Sequence, residues 1–189
     1  MDLSQQNKIV SFIWSIADNC LRDVYVRGKY RDVILPMFVL RRLDCLLEET
    51  KDEVLEEVRF QREEAGFTVL DSVALREASS YVFYNISDWT LKKLVQTASN
   101  NRQILEANFK AYLDGFSDNV KEIIDKFELR NQIKRMVQAD VLLDVLEKFT
   151  SPDINLSPHD TLDRDGRKLV GLSNLGMGYV FEELIRKFN

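Results

Sequence analysis

The 189-residue chain has one histidine, two cysteines, three prolines and seven glycines, and each scarcity excludes a kind of chemistry or architecture. A single imidazole, His159 in the segment SPHD, cannot build a multi-histidine metal site. A histidine-dependent triad would rest on this residue alone, and an exposed loop histidine is the simpler reading. Cys20 and Cys45 both fall on apolar helical positions, where reduced thiols are expected rather than a disulfide. So little glycine and proline, with 45% hydrophobic and 30% charged residues, is the balance of a helix-rich globular protein. No apolar run approaches the roughly 20 residues needed to cross a bilayer. The opening MDLSQQNKIV lacks the continuous apolar core of a signal peptide, so a cytoplasmic location is expected.

Catalytic signatures are also missing. There is no GxxxxGK[ST], GxSxG or HExxH. Gly176-Met177-Gly178 is a GxG with no third glycine and no predicted strand before it, so it reads as a site of close helix approach or a flexible helix start. Adjacent carboxylates such as Glu56/Glu57, Glu63/Glu64 and Glu182/Glu183 point about 100° apart on a helix and describe a solvated face, not an acid–base pair. As a free-standing chain it is not expected to be an enzyme, and neither a metal nor a cofactor is expected in it.

What the chain does have is helical periodicity. Ile9, Phe12, Ile13, Ile16, Ala17 and Cys20 form one face of a first helix. Trp14 lies off that stripe, and covering a neighbouring helix is its expected role. After Gly28 a second helix runs through VILPMFVLRRLDCLLEE, and its nearly unbroken apolar stretch from Val33 to Leu40 marks a central, fully buried helix. Pro36 inside it predicts a kink unless it sits in the first turn. An acidic helix with Leu47, Val54 and Val58 on one side follows and ends near Gly66.

Residues 67–87, rich in β-branched and aromatic side chains, fit short strands or ordered loop. Further stripes begin at Leu91, Leu105, Val120, Leu142 and Met177, and residues 151–173 read as a linker-like loop. The expected fold is one mainly α, compact multi-helix domain over residues 1–189, with one short two-stranded or irregular segment near residues 67–87.

The net charge of −5 excludes a surface that attracts nucleic acid everywhere. Charge is unevenly distributed, however. Residues 1–47 carry seven Lys/Arg against five Asp/Glu, and residues 48–77 carry four against ten. Arg22, Arg27, Lys29 and Arg31 cluster at the first interhelical turn, with Arg41 and Arg42 after the buried run. Such residues either aim planar forks at phosphate or pair with Asp18, Asp23, Asp32 and Asp44. A weaker candidate stripe is Lys126, Arg130 and Lys134, spaced i, i+4, i+8 if one helix spans it, with a solvated face as its plainer explanation.

The run FIWSIADNCLRDVYVRGKYRDVILPMFVLRRLDCLLE resembles the opening of type I restriction-modification DNA adenine methyltransferase (modification, HsdM) subunits: a Trp-x-x-Ala-Asp helix, an arginine-bearing turn, and an apolar helix ending in Leu-Arg-Arg-Leu. The matching positions are Trp14, Ala17, Asp18, Leu21, Arg22, Tyr30, Leu35, Phe38, Leu40, Arg41 and Arg42. The terminal NLGMGYVFEELIRKFN is similar to the family's helix that leads into its methyltransferase domain, through Leu175, Gly176, Tyr179, Phe181, Glu182, Leu184 and Phe188.

The resemblance implies an N-terminal helical domain whose neighbouring catalytic domain binds S-adenosylmethionine and methylates the N6 of adenine. That domain is expected to be absent here, since the chain contains neither Asn-Pro-Pro nor Asp-Pro-Pro. The implied partners are double-stranded DNA, a specificity subunit, a second modification subunit and the restriction subunit. The alternative is a free-standing helical interaction module. A helix-turn-helix regulator built on residues 9–47 fits less well, because its second helix is apolar where groove contact needs polar residues.

Overall fold

A computed structural model describes residues 2–189 and shows a mainly α-helical protein. Helix α1 (Leu3–Cys20) starts at a capping box in which the Asp2 carboxylate accepts from the Gln5 N–H at 2.8 Å and the Gln5 side chain accepts from the Asp2 N–H at 3.1 Å. Ile9, Ile13, Ile16 and Ala17 of the predicted stripe are buried, and Phe12 and Cys20 pack against the core from its margin.

A turn and a 3₁₀ segment at Arg27–Lys29 lead into α2 (Arg31–Leu47). Val33, Ile34, Met37, Phe38 and Leu40 of α2 are buried, and it packs as the central helix against α8 (Leu129–Gln138), α9 (Leu142–Phe149) and α10 (Asn174–Lys187). Pro36 lies in its second turn, where the missing N–H leaves the Asp32 carbonyl without its usual helical donor.

A 3₁₀ turn (Glu48–Thr50) connects α2 to α3 (Lys51–Arg59), a π-helical turn follows at Phe60–Glu64, and Gly66 at φ 68° reverses the chain. The acidic helix therefore ends where its sequence predicts. Residues 67–87 form a helix and a loop, not a strand pair. Asp71 caps α4 (Ser72–Ser79) through the Val73 N–H, and α4 packs on α3.

The YVFYNIS stretch is an ordered loop fastened to the end of α6 (Arg102–Asp114). The Asn85 amide donates to the Tyr112 carbonyl at 2.9 Å, the Ile86 N–H to Gly115 at 2.8 Å, and the Ser117 N–H to Tyr84 at 2.9 Å. Glycine is required at 115, where a Cβ would lie 2.7 Å from the Asn85 side-chain oxygen.

Helices α5 (Leu91–Thr97), α6 (Arg102–Asp114), α7 (Asp118–Lys126), α8 (Leu129–Gln138) and α9 (Leu142–Phe149) complete the bundle together with α10 (Asn174–Lys187). The two-stranded element lies in the stretch that reads as a linker. There β1 (Thr161–Leu162) pairs antiparallel with β2 (Lys168–Leu169) around the turn Asp163–Gly166.

The 151–173 loop is packed against the bundle. Ile154, Leu156 and Leu172 are buried, and the Asn155 amide donates to His159, Leu169 and Val170 carbonyls. Gly171 passes so close to Pro158 that a Cβ would meet its carbonyl oxygen at 2.3 Å. His159 itself is exposed and pairs with Glu49 at 2.8 Å. Gly176 bears out the expected close helix approach, since a Cβ there would lie 3.1 Å from the Gln6 amide of α1. Cys20 and Cys45 are both free thiols, and burial pushes the Cys45 thiol up to about 11. No helix among the described residues is long and apolar enough to cross a membrane.

Candidate nucleic-acid interface

The basic turn is built on Trp14. This side chain leaves the buried stripe of α1 and packs on Phe188 after α10, with ring centroids 4.9 Å apart, as a helix-covering aromatic should. Two cations converge on the indole: the Arg27 guanidinium carbon lies 4.9 Å and the Lys187 ammonium 5.2 Å from the ring centre. Cation–π stacking occupies the flat face of a guanidinium and leaves its in-plane N–H donors for an anion.

Lys29 is exposed beside them, and Arg31 donates to the Asn189 side chain at 3.1 Å. Among the described residues Arg27, Lys29 and Arg31 have no carboxylate partner, whereas Arg22 pairs with Asp18 at 3.2 Å on the exposed surface of α1. Arg135 of α8 reaches the preceding part of the turn. It lies 4.2 Å over the Tyr25 ring and donates to the Val24 carbonyl at 2.7 Å. Tyr25, whose hydroxyl donates to the Gln132 side chain at 2.9 Å, is pushed up to about 12 by burial and stays a neutral donor.

Arg41 and Arg42 do not belong to this surface. Arg41 is buried and pairs with Asp44 at 2.6 Å, and that carboxylate also accepts from the Tyr112 hydroxyl at 2.9 Å and the Leu91 N–H at 3.2 Å. Burial together with Asp44 holds the Tyr112 phenol well above its ordinary range, so it remains a donor. Arg42 is buried as well, and donates to the carbonyls of Leu156 at 2.8 Å and Leu172 at 2.7 Å and to the Asn174 side chain at 3.2 Å. Both arginines hold the fold together, and neither is available to an external phosphate.

The second predicted stripe also separates. Glu128, at φ 52°, breaks the chain between α7 and α8, so Lys126 ends one helix while Arg130 and Lys134 lie on the next. Lys126 pairs with Glu122 at 3.4 Å and Arg130 with Asp114 at 2.6 Å, which leaves Lys134 without an ion partner among the described residues. The solvated-face description fits these residues.

Tertiary contacts bring to the turn two residues that sequence reasoning missed: Lys187, which shares the Trp14 ring with Arg27, and Arg135, which lies over Tyr25. Nothing in the sequence signals them, because they lie more than a hundred positions downstream and reach the turn only through packing of α10 and α8. What the cluster offers is anion binding: exposed donors without carboxylate partners on a rigid aromatic base. Among the described residues no group of three or more His, Cys, Asp or Glu could hold a metal ion. The carboxylate pairs lie on helix surfaces, where Glu56, Glu63 and Glu64 all engage Arg59.

A family model described as the HsdM N-terminal domain matches residues 9–149, from the middle of α1 to the end of α9. The match includes the Trp14 to Arg42 motif and leaves out the 151–173 loop and α10. Searches of curated proteins and of solved structures give no match. The matched span is most of the chain and contains the basic turn together with the central helix, so the chain belongs to the HsdM N-terminal domain family, the N-terminal domain of type I restriction-modification modification subunits.

Proposed function

We propose that this domain is a non-catalytic DNA clamp and subunit-contact module of a site-specific N6-adenine methyltransferase. The observation that carries the DNA half is that Arg27 and Lys187 share the Trp14 ring while Lys29 and Arg31 are exposed on the same turn, none of the three turn residues having a carboxylate partner among the described residues. Phosphate contacts of this kind hold and orient a duplex without reading its sequence.

Methylating adenine N6 requires the base to leave the stack, which costs a few kcal/mol. A helical domain that closes on the backbone supplies part of that energy through phosphate contacts made only when the duplex is engaged. The methyl donor, S-adenosylmethionine, belongs to the neighbouring catalytic domain of the family. The partners in this reading are double-stranded DNA, the specificity subunit, a second modification subunit and the restriction subunit, and the working compartment is the cytoplasm.

The test replaces Arg27, Lys29 and Arg31 with alanine in the complete complex and follows DNA affinity against salt. Each lost phosphate contact removes about 0.9 from the slope of log K against log salt. The triple variant should therefore lower the slope by about 2 to 3 and weaken specific and non-specific DNA alike. Arg22→Ala, which removes an arginine already paired with Asp18, should change little. Unchanged affinity and slope in an intact complex would remove the turn as a DNA contact.

A further inference from the structure

Helix α2 separates two regions of opposite character. The basic turn sits at its N-terminal end, and the acidic α3–α4 arm leaves from its C-terminal end. Seventeen residues at about 1.5 Å each place these ends roughly 25 Å apart. That exceeds the Debye length of about 8 Å at physiological salt, so the two regions act independently on what approaches them.

The arm has its own small core of Val54, Val58 and Leu75, with Leu70, Tyr84 and Ile86 packed against it. Its tip nevertheless leaves apolar side chains in solvent: Phe60 is 44% exposed, Phe67 47%, Val69 83% and Val73 54%. The tip is also held in shape. Gln61, only 1% exposed, accepts from the Asp71 N–H at 2.7 Å, donates to the Asp71 carbonyl at 3.4 Å and to Glu57 at 3.0 Å, and its own carbonyl accepts from the Phe67 N–H at 2.7 Å. These bonds draw the π-helical turn and residues 67–71 into one fastened unit, so apolar groups are presented on a preorganised scaffold that loses little entropy on docking. Exposed apolar clusters of this kind mark protein interaction sites.

The charge around the tip specifies the partner. Residues 48–77 carry ten Asp/Glu and four Lys/Arg. Of the four, Lys51 is half-buried against Asn85, and burial pulls its amine down to about 8. Arg59 is engaged by Glu56, Glu63 and Glu64, which leaves Arg62 and Arg76 against the remaining carboxylates. The field at the tip repels phosphate and favours a cationic rim.

We infer that the α3–α4 arm is a protein-docking surface: its apolar tip seats in a depression on another subunit, rimmed by Lys and Arg. This deepens the subunit-contact half of the proposed function and rests on it, while DNA is assigned to the other end of α2.

The experiment uses the full modification subunit and its purified specificity and restriction subunits. Val69→Lys/Val73→Lys and Val69→Glu/Val73→Glu change positions more than half exposed, so both variants should retain the fold, which their thermal unfolding checks. The lysine pair should weaken binding to one of the two subunits at least tenfold, and the glutamate pair less, because only lysine opposes a basic rim. Raising salt should reduce the difference between them. DNA affinity of the subunit alone should stay at the parent value for the glutamate pair. Unchanged binding to both subunits, or greater loss with glutamate than with lysine, would overturn the assignment. A Val69→Ala/Val73→Ala variant that loses DNA affinity would instead give the tip to nucleic acid. The alanine variant of the basic turn should assemble normally, so failure of the DNA reading and failure of the docking reading give different results.

Discussion

Replacing Asp44 with alanine should lower the stability of this domain by about 3 to 5 kcal/mol, the cost of leaving one partner of a buried ion pair uncompensated. The side chains of Arg41 and Asp44 are only 8% and 6% exposed, so water cannot take over the guanidinium when the carboxylate is gone. The Tyr112 hydroxyl and the Leu91 N–H lose their acceptor in the same step. For a domain of this size the loss corresponds to a melting temperature lower by about 6 to 20 °C.

Asp44→Asn keeps an acceptor oxygen and should cost less than alanine, while still leaving Arg41 without a counter-charge. The informative comparison is Arg41→Met/Asp44→Asn, which removes both charges and should recover at least half of the loss caused by Asp44→Ala. Thermal or urea unfolding of the four proteins measures the series. If Asp44→Ala unfolds within 1 kcal/mol of the parent, roughly the value of an exposed pair, the network is not holding α2 to α5 and α6.

Most of the helical fold was legible because its signals are local. The stripes of α1, α2 and α6, and the reversal at Gly66, follow from the side chains each segment must bury and from the one residue type suited to a positive φ. The pairing of Arg41 with Asp44 was also open to view, one turn apart on a single helix. What sequence could not show is that this pair is buried, since arginine is mostly exposed in folded proteins and the residues covering it, Leu91 and Tyr112, come from distant helices.

Short elements were misplaced for the same reason. The segment SVALREAS becomes α4 because α3 offers it a surface, in spite of the β-branched residues around it, and the hairpin at 161–169 forms within a stretch whose composition reads as linker. Lys126 and Arg130 fall on separate helices because Glu128 adopts a left-handed conformation that no pattern of charges signals. The basic turn was legible as a cluster, and its extension to Lys187 and Arg135 was not.

Arg42→Ala should release the 151–173 loop from the bundle at a cost of about 3 kcal/mol, because hydrogen bonds from a charged donor contribute about 1.5 to 3 kcal/mol each and do not add fully. One guanidinium bridges both ends of the loop, reaching Leu156 near its start and Leu172 at its end, and then touches Asn174 where α10 begins. Without it two buried carbonyls lose their donor, and the link from the loop to α2 is gone. Apart from the exposed His159–Glu49 pair, the bonds that remain, those of Asn155, of the Leu172 N–H to Ser157 and of the hairpin turn at Asp163, lie within the loop itself.

The change should therefore be local before it is global. Arg164, Arg167 and Lys168 lie in the exposed hairpin, and trypsin should cut there in the variant under conditions that leave the parent intact. Amide exchange at residues 155–170 should accelerate while that of α6 and α9 stays near the parent rate. Arg42→Lys keeps the charge but not the planar fork, so it should protect one end of the loop and expose the other. Equal protease resistance in Arg42→Ala and the parent would show that the apolar contacts at Ile154, Leu156 and Leu172 and the loop's own hydrogen bonds hold it without the guanidinium. If the loop opens as expected, α10 loosens with it, and Lys187 leaves Trp14; the DNA affinity of the complete complex should then fall although no residue of the basic turn has been changed.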